Sequence, residues 1–156
     1  MQKVKPCLWF NYNADEALEY YAKVFKNFEV TSRSKYGPNQ GGPEGTTLTA
    51  DFRIEDQEFM ALNAGPNFPF TEAVSIMVFC EDQEEIDRYW NMLTDGGKEV
   101  QCGWLKDKFG LSWQIVPKKF IEWSDTGNKE KFNKMMQAMM KMVKLDIAEL
   151  ENAMKS

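Results

Sequence analysis

Two tryptophans, two amides, a thiol and a carboxylate are the groups in this chain best suited to chemistry: Trp9, Trp104, Asn63, Gln114, Cys7 and Asp107. Indole faces stack on flat apolar molecules, and a few amides or carboxylates orient them. The set therefore reads as a pocket for a small aromatic or partly apolar ligand. Core packing is the competing reading for each tryptophan. The amides weigh against it, because side chains facing a core are apolar and a buried amide needs partners contributing about 1 kcal/mol each. Asp107, in the run WLKDKFG, reads first as a turn former acting through its own side-chain hydrogen bonds. Cys7 and Cys102 would need a cation to become nucleophiles, and the sequence offers Lys106, so inert thiols are expected.

Absences narrow the chemistry further. None of the 156 residues is histidine, which removes the commonest general base, the commonest metal ligand and every Ser-His or Cys-His pairing. The three cysteines, Cys7, Cys80 and Cys102, are widely spaced without a CxxC, so no disulfide framework or zinc knuckle is expected and a reducing cytoplasm is the expected compartment. A net charge of −5 with 19 scattered basic residues argues against nucleic acid as a partner. The opening MQKVKPCLWFNYNADE lacks the apolar stretch of a signal peptide, and no segment reaches the ~18 apolar residues of a membrane span. The acidic run Glu81, Asp82, Glu84, Glu85 and Asp87 lacks the glycine turn and distal glutamate of a calcium loop and reads as a helix N-terminus.

The elements that must position these residues form a repeat. Leu8–Val24 returns at Met77–Leu93 with an offset of 69, pairing Phe10 with Phe79, Glu16 with Glu85, Tyr20 with Tyr89 and Tyr21 with Trp90. Each copy reads as a strand entering a helix, with capping-box spacing at Asn13/Glu16 and at Asp82/Glu85. Asn27 and Gly96-Gly97 are expected to close the helices. Strands are expected at 29–36, 46–55 and 57–63, then at 98–101, 103–107 and 112–117, with Leu62 matching Ile115. Gly37–Gly45, GPNQGGPEG, reads as a loop, either a lid or a long hairpin. Beyond Pro117 one helix of about 26 residues is expected after Asp125 and Asn128, with Phe132, Met136, Met139, Val143, Ile147, Leu150 and Met154 on one stripe. Its methionine cluster reads as core or dimer packing, with an adaptable binding surface as the alternative.

Two strand-helix-three-strand modules with these motifs resemble the vicinal oxygen chelate superfamily of glyoxalases, extradiol dioxygenases and bleomycin-resistance proteins. The strings PCLWFNYNADEALEYYAKVF, DQEEIDRYWNMLTDGG, CGWLKDKFGLSWQIVP and MMQAMMKMVKLDIAELENA resemble its PhnB-like branch, whose members often carry the label 3-demethylubiquinone-9 3-methyltransferase. The resemblance implies metal ligands, where metal is used, on the first and last strand of each module. The matching windows here are Lys5–Cys7, Val74–Ser75, the vicinity of Ala61, and Gln114, none of them His or carboxylate. No catalytic metal and no other cofactor are therefore expected. The methyltransferase label implies a methyl donor, yet the Gly-rich turn into a helix that usually holds one is missing.

The expected fold is α+β: two tandem βαβββ modules, about 1–70 and 71–120, whose mixed sheets form a curved cleft within a single domain. A C-terminal helical extension, about 121–156, is expected to pack on the module or on a partner subunit in a homodimer. The expected function is metal-independent binding of a small molecule in the cleft. The alternatives are a methyltransferase-like enzyme using Gln114, Asp107 and a cysteine, or an interaction module built on the methionine helix.

Overall fold

Each half of the chain contains a strand that feeds a helix and, three strands later, a strand lying parallel beside that first one. In the computed structural model, which describes residues 1–125 and 127–156, the halves are two compact units, Met1–Phe70 and Thr71–Ser156. The first contains β1 (Cys7–Phe10), α1 (Ala14–Val24), β2 (Phe28–Lys35), β3 (Thr47–Ile54) and β4 (Gln57–Asn63), in the sheet order β1-β4-β3-β2. The second contains β5 (Ser75–Cys80), α2 (Gln83–Thr94), β6 (Lys98–Glu99), β7 (Trp104–Lys106) and β8 (Ser112–Pro117), in the order β5-β8-β7-β6. Three helices follow: α3 (Lys119–Asp125), α4 (Lys129–Met139) and α5 (Ile147–Lys155). The fold is thus α+β with tandem βαβββ modules and mixed four-stranded sheets, each with one parallel and two antiparallel pairings.

The helices bury the expected stripe. Ala17, Tyr21 and Val24 on α1 and Ile86, Trp90 and Leu93 on α2 match at the offset of 69 and are buried. Against them the sheets present Leu8, Phe10, Phe52, Phe59 and Ala61 in the first unit, and Leu105, Trp113 and Ile115 in the second. Burying each of the larger side chains stabilises by roughly 1.5–3 kcal/mol.

The strands do not keep the helices' offset. In β1 the buried residues are Leu8 and Phe10, whereas in β5 Met77 and Phe79 are exposed and Cys80 is buried. The structural match is therefore Phe10 with Cys80 and Trp9 with Phe79. Two residues, Asn11 and Tyr12, separate β1 from the first helix position Asn13, but only Glu81 lies between β5 and Asp82. A slip of one residue turns every side chain to the opposite face. Ala61, not Leu62, is likewise the counterpart of Ile115, since Leu8 pairs with Ala61 and Val78 with Ile115.

The capping expectations divide. Asp82 accepts from the Glu85 amide at 2.9 Å, and the Glu85 side chain reaches back to the Glu81 amide at 2.7 Å. Asn13 makes no such bond; the Asn63 Oδ1 of β4 accepts from the Ala14 amide instead, at 3.0 Å. Gly96 and Gly97 end α2 as expected, with the Gly97 amide donating to Thr94 O at 2.9 Å. α1 ends at Phe25, and Asn27 bonds with Glu55 rather than closing the helix.

The single C-terminal helix is not formed. The chain is broken between α4 and α5, where the backbone turns to serve as acceptor for its neighbours: Cys102 N donates to Met142 O and Gly103 N to Val143 O, at 2.9 and 2.8 Å. Asp146 then caps α5, accepting from the Glu149 amide at 2.9 Å. The break lets Met135, Met139, Leu145 and Leu150 bury together over Val116 of β8, which one straight helix could not arrange. Gln83 locks the join, donating to Leu145 O at 3.0 Å and accepting from Ile147 N at 2.9 Å. Beside it Lys144 pairs with Asp87 at 2.6 Å, and with Gln83 this holds the Asp87 carboxyl below its ordinary pKa. That contribution is present above the usual carboxylate range and is lost as pH falls through the lowered pKa. Gln83→Ala should destabilise the protein by about 1–3 kcal/mol and speed hydrogen exchange at Ile147 before the sheet amides; unchanged exchange there would show that Gln83 does not hold the join.

Candidate functional site

β-Alternation divides the six residues singled out by their chemistry into two groups. Cys7 and Trp9 lie on the face of the first sheet turned away from α1, opposite Met60 and Leu62 in register. Trp104 and Gln114 lie opposite one another on the face of the second sheet turned away from α2, with Met77 on the far side of Gln114. Asn63 and Asp107 are not on these faces. Asn63 is in register with Phe10, not with Trp9, so the shared face expected for it does not form. It is 4% exposed, and its amide joins Ala14 N to Thr47 O, which holds the start of α1 on β3 and β4.

Asp107 is 3% exposed and organises the turn before β8. Its Oδ1 accepts from the Phe109 and Leu111 amides at 2.9 and 3.1 Å, and its Oδ2 accepts from the Trp113 indole N–H at 2.9 Å. The turn reading of WLKDKFG holds, and the same carboxylate carries a buried tryptophan. Gly97 supports this corner by close approach: a Cβ there would lie 2.2 Å from Lys106 O.

On the first sheet, Trp9 is fixed by its indole N–H to Gly65 O at 2.8 Å and by an edge contact with Phe68 at 4.8 Å. Lys5 pairs with Asp51, which also accepts from Ser32 Oγ at 2.9 Å. The Lys5 and Ser32 bonds hold the Asp51 carboxyl below its ordinary pKa. Cys7 sits beside this pair, and its thiol is pushed up first by burial and then by the Asp51 charge, outweighing Lys5. Cys80 is buried, and its thiol is pushed up to about 12 by burial and by Glu85 and Asp82. Neither environment favours the thiolate a nucleophile requires.

On the second sheet, Gln114 Nε2 donates to Ser75 Oγ at 2.8 Å, and Lys106 pairs with Glu72. Met77 and Phe79 are each 43% exposed, while Trp104 and Gln114 are half-buried. Sequence reasoning placed Ser75 in a first-strand ligand window but missed Met77, Phe79, Lys106 and Ser112 as residues of this face. The alternation in SWQIVP carried the signal, because Ser112 must share a face with Gln114.

Among the described residues no group of three or more His, Cys, Asp or Glu could hold a metal ion. The positions from which metal ligands would be drawn hold Lys5, Cys7 and Met60 in the first unit, Ala61 pointing toward α1. In the second unit they hold Ser75 and Gln114, bonded to each other. An ion-paired ammonium, a neutral thiol, a thioether, a hydroxyl and an amide do not fit zinc, iron or manganese. A methyl-donor site of the Gly-rich type does not fit either. The turns entering α1 and α2 hold no glycine, and GPNQGGPEG joins β2 to β3.

The family described as 3-demethylubiquinone-9 3-methyltransferase matches residues 2–116. The chain belongs to this family. It is 38% identical to the PhnB protein of Bacillus cereus, whose assignment as a 3-demethylubiquinone-9 3-methyltransferase is itself provisional; the match covers 74% of this chain and 99% of that one, with a TM-score of 0.67. A Pseudomonas aeruginosa protein is similar at 21% identity, covering 75% of this chain and 98% of that one, with a TM-score of 0.60. The fosfomycin resistance protein FosX of Listeria monocytogenes, solved with manganese(II) and sulfate, is similar in fold at 14% identity and a TM-score of 0.52, over 75% of this chain and 91% of that one. No curated protein matches. The module of this PhnB-like chain is thus that of the glyoxalase and bleomycin-resistance fold, and α4 and α5 lie beyond the family match.

Two measurements test the local chemistry. Asp107→Ala leaves the buried Trp113 N–H and two amides without an acceptor and should cost about 2–4 kcal/mol in urea unfolding. Peptide-resolved iodoacetamide labelling of Cys7 should show a pH midpoint above the ordinary thiol range. Asp51→Asn should lower it, since the repelling carboxylate is gone and Lys5 is left to favour the thiolate; an unmoved midpoint would show that Asp51 does not act on Cys7.

Proposed function

We propose that this PhnB-like protein binds a small, flat, partly apolar molecule and works without a catalytic metal, taking the ligand against the face of its second sheet turned away from α2. The observation that carries the reading is the row Met77–Gln114–Trp104: a thioether, an amide and an indole side by side on three paired strands. α4 and α5 cover this face at Val116, but Met77 and Phe79 on its other strand are each 43% exposed. A single amide flanked by apolar groups is the composition of a pocket that grips by surface and orients by one or two hydrogen bonds. Metal independence is supported by the donor set, which offers neutral or already paired groups where the resemblance draws ligands.

A second reading, methyl transfer, is favoured by the family's description and that of the Bacillus cereus relative. The lack of any glycine turn before α1 or α2 counts against it. Thermal unfolding against quinones, S-adenosylmethionine, aromatic antibiotics and divalent metals separates the two, since a ligand at 100 times its dissociation constant stabilises by about 2.7 kcal/mol. For an aromatic hit, Trp104→Ala should weaken binding about tenfold or more while circular dichroism stays native. Stabilisation by S-adenosylmethionine would move the protein to the enzyme reading. Stabilisation by a metal would end the claim of metal independence.

A further inference from the structure

One step along the second sheet from Trp104 lies a hydroxyl that the fold does not use. Register places Lys106, Ser112 and Ser75 directly opposite one another on β7, β8 and β5, with Lys98 of β6 opposite Lys106. Residues paired in register on neighbouring strands point to the same face of the sheet, so these side chains form a continuous row. Ser112 is 1% exposed, yet its Oγ has no hydrogen-bond partner among the described residues. Buried side-chain polar atoms are nearly always paired, and an orphan in a native fold calls for a partner from elsewhere.

The neighbours say what kind of partner. Ser75 Oγ accepts from Gln114, which leaves its own hydrogen to donate. Lys106 already holds a carboxylate, that of Glu72, whose side chain is 59% exposed. An ion pair so exposed contributes little and exchanges readily for another carboxylate. Hydroxyls and lysines make the row rich in donors, and they suit an oxyanion, to which hydrogen bonds are shorter and stronger than to a neutral acceptor. The next row along the strands is Trp104, Gln114 and Met77, and the one beyond is Val116 and Phe79. Polarity therefore falls across three rows, from cations and hydroxyls through one amide to purely apolar side chains.

We propose that Lys106, Ser112 and Ser75 form an oxyanion subsite, and that the ligand is a flat aromatic acid with its carboxylate on this row and its ring along Trp104, Met77 and Phe79. The proposal rests on the binding reading above and adds the charge of the ligand. Ser112 donates to one carboxylate oxygen, while Lys106 exchanges Glu72 for the ligand.

Calorimetric titration of 2-naphthoate and 2-naphthamide against the wild type, Ser112→Ala and Lys106→Gln tests it. The acid should bind about tenfold or more tighter than the amide, and each substitution should remove most of that preference while leaving the amide within about twofold. Added salt should weaken only the acid. Without ligand, Ser112→Ala should melt no lower than the wild type, because it loses only an unpartnered hydroxyl. A lower melting temperature would mean that the fold employs the hydroxyl, and would overturn the assignment. Should Ser112→Ala not fold, Lys106→Gln carries the binding comparison. Equal affinity for both probes, or a preference that survives both substitutions, overturns the subsite and leaves the binding reading standing. Binding of neither probe at millimolar concentration overturns both.

Discussion

The parallel pairing of the first and last strands of each module is the constraint on which the rest depends. A parallel neighbour cannot be reached by a tight turn, so the chain must cross over, and here it does so through the helix and two further strands. The crossover places the helix on one face and leaves the other to β1 and β4, or to β5 and β8, side by side at the centre of any surface the sheet offers. Which side chains occupy that surface is then a matter of register alone. Trp9 and Phe10, adjacent in sequence, meet Leu62 and Asn63 and end on opposite faces, one held by Gly65 and Phe68, the other inside the core.

That dependence explains what the sequence disclosed and what it hid. Helix faces repeat every three or four residues, and the match of Ala17, Tyr21 and Val24 with Ile86, Trp90 and Leu93 is tolerant enough to read directly. Strand faces repeat every two, so the residue by which the turn before α1 exceeds that before α2 reverses the assignment. Tyr12, with φ of 55°, lies in that longer turn. Left-handed backbone is uncommon for a residue with a side chain, and no local pattern marks it in advance. The parity of Asn63 was lost for a related reason: a polar residue suggested an open face, whereas the fold uses it as the missing cap of α1. Trp104 and Gln114 were legible because they come from strands whose alternation is undisturbed.

The C-terminal helices show a different limit. The methionine stripe was visible, and so was the Asp146/Glu149 spacing that could have marked a second helix start. Period alone carried the reading past it, because a stripe at helical spacing does not reveal where the chain folds back. What settles the matter is tertiary: the carbonyls of Met142, Val143 and Leu145 accept from the Cys102 and Gly103 amides and from Gln83, partners outside α4 and α5. A sequence window cannot weigh partners that lie some 40 to 60 residues away.

Buried and half-buried polar groups in the second unit fall into two classes, and the division separates architecture from function better than residue type does. Asp107 has three donors, and Gln83 makes three bonds, so both are spent on holding a turn and a helix in place. Ser112 stands two residues from Gln114 on the same strand and is more deeply buried than either, yet its hydroxyl is left over. A fold that pairs a carboxylate with an indole N–H one residue away from Ser112 has the means to satisfy a serine or to replace it with alanine. Keeping an unpaired hydroxyl there is a local conflict of the kind that natural sequences retain at working surfaces. Family membership cannot supply that distinction, because a shared module and strand order do not by themselves fix a site's chemistry. The donors themselves do: around Ser112 they are cationic or hydroxylic, on the neighbouring row apolar, and a molecule that answers both must carry its charge at one end.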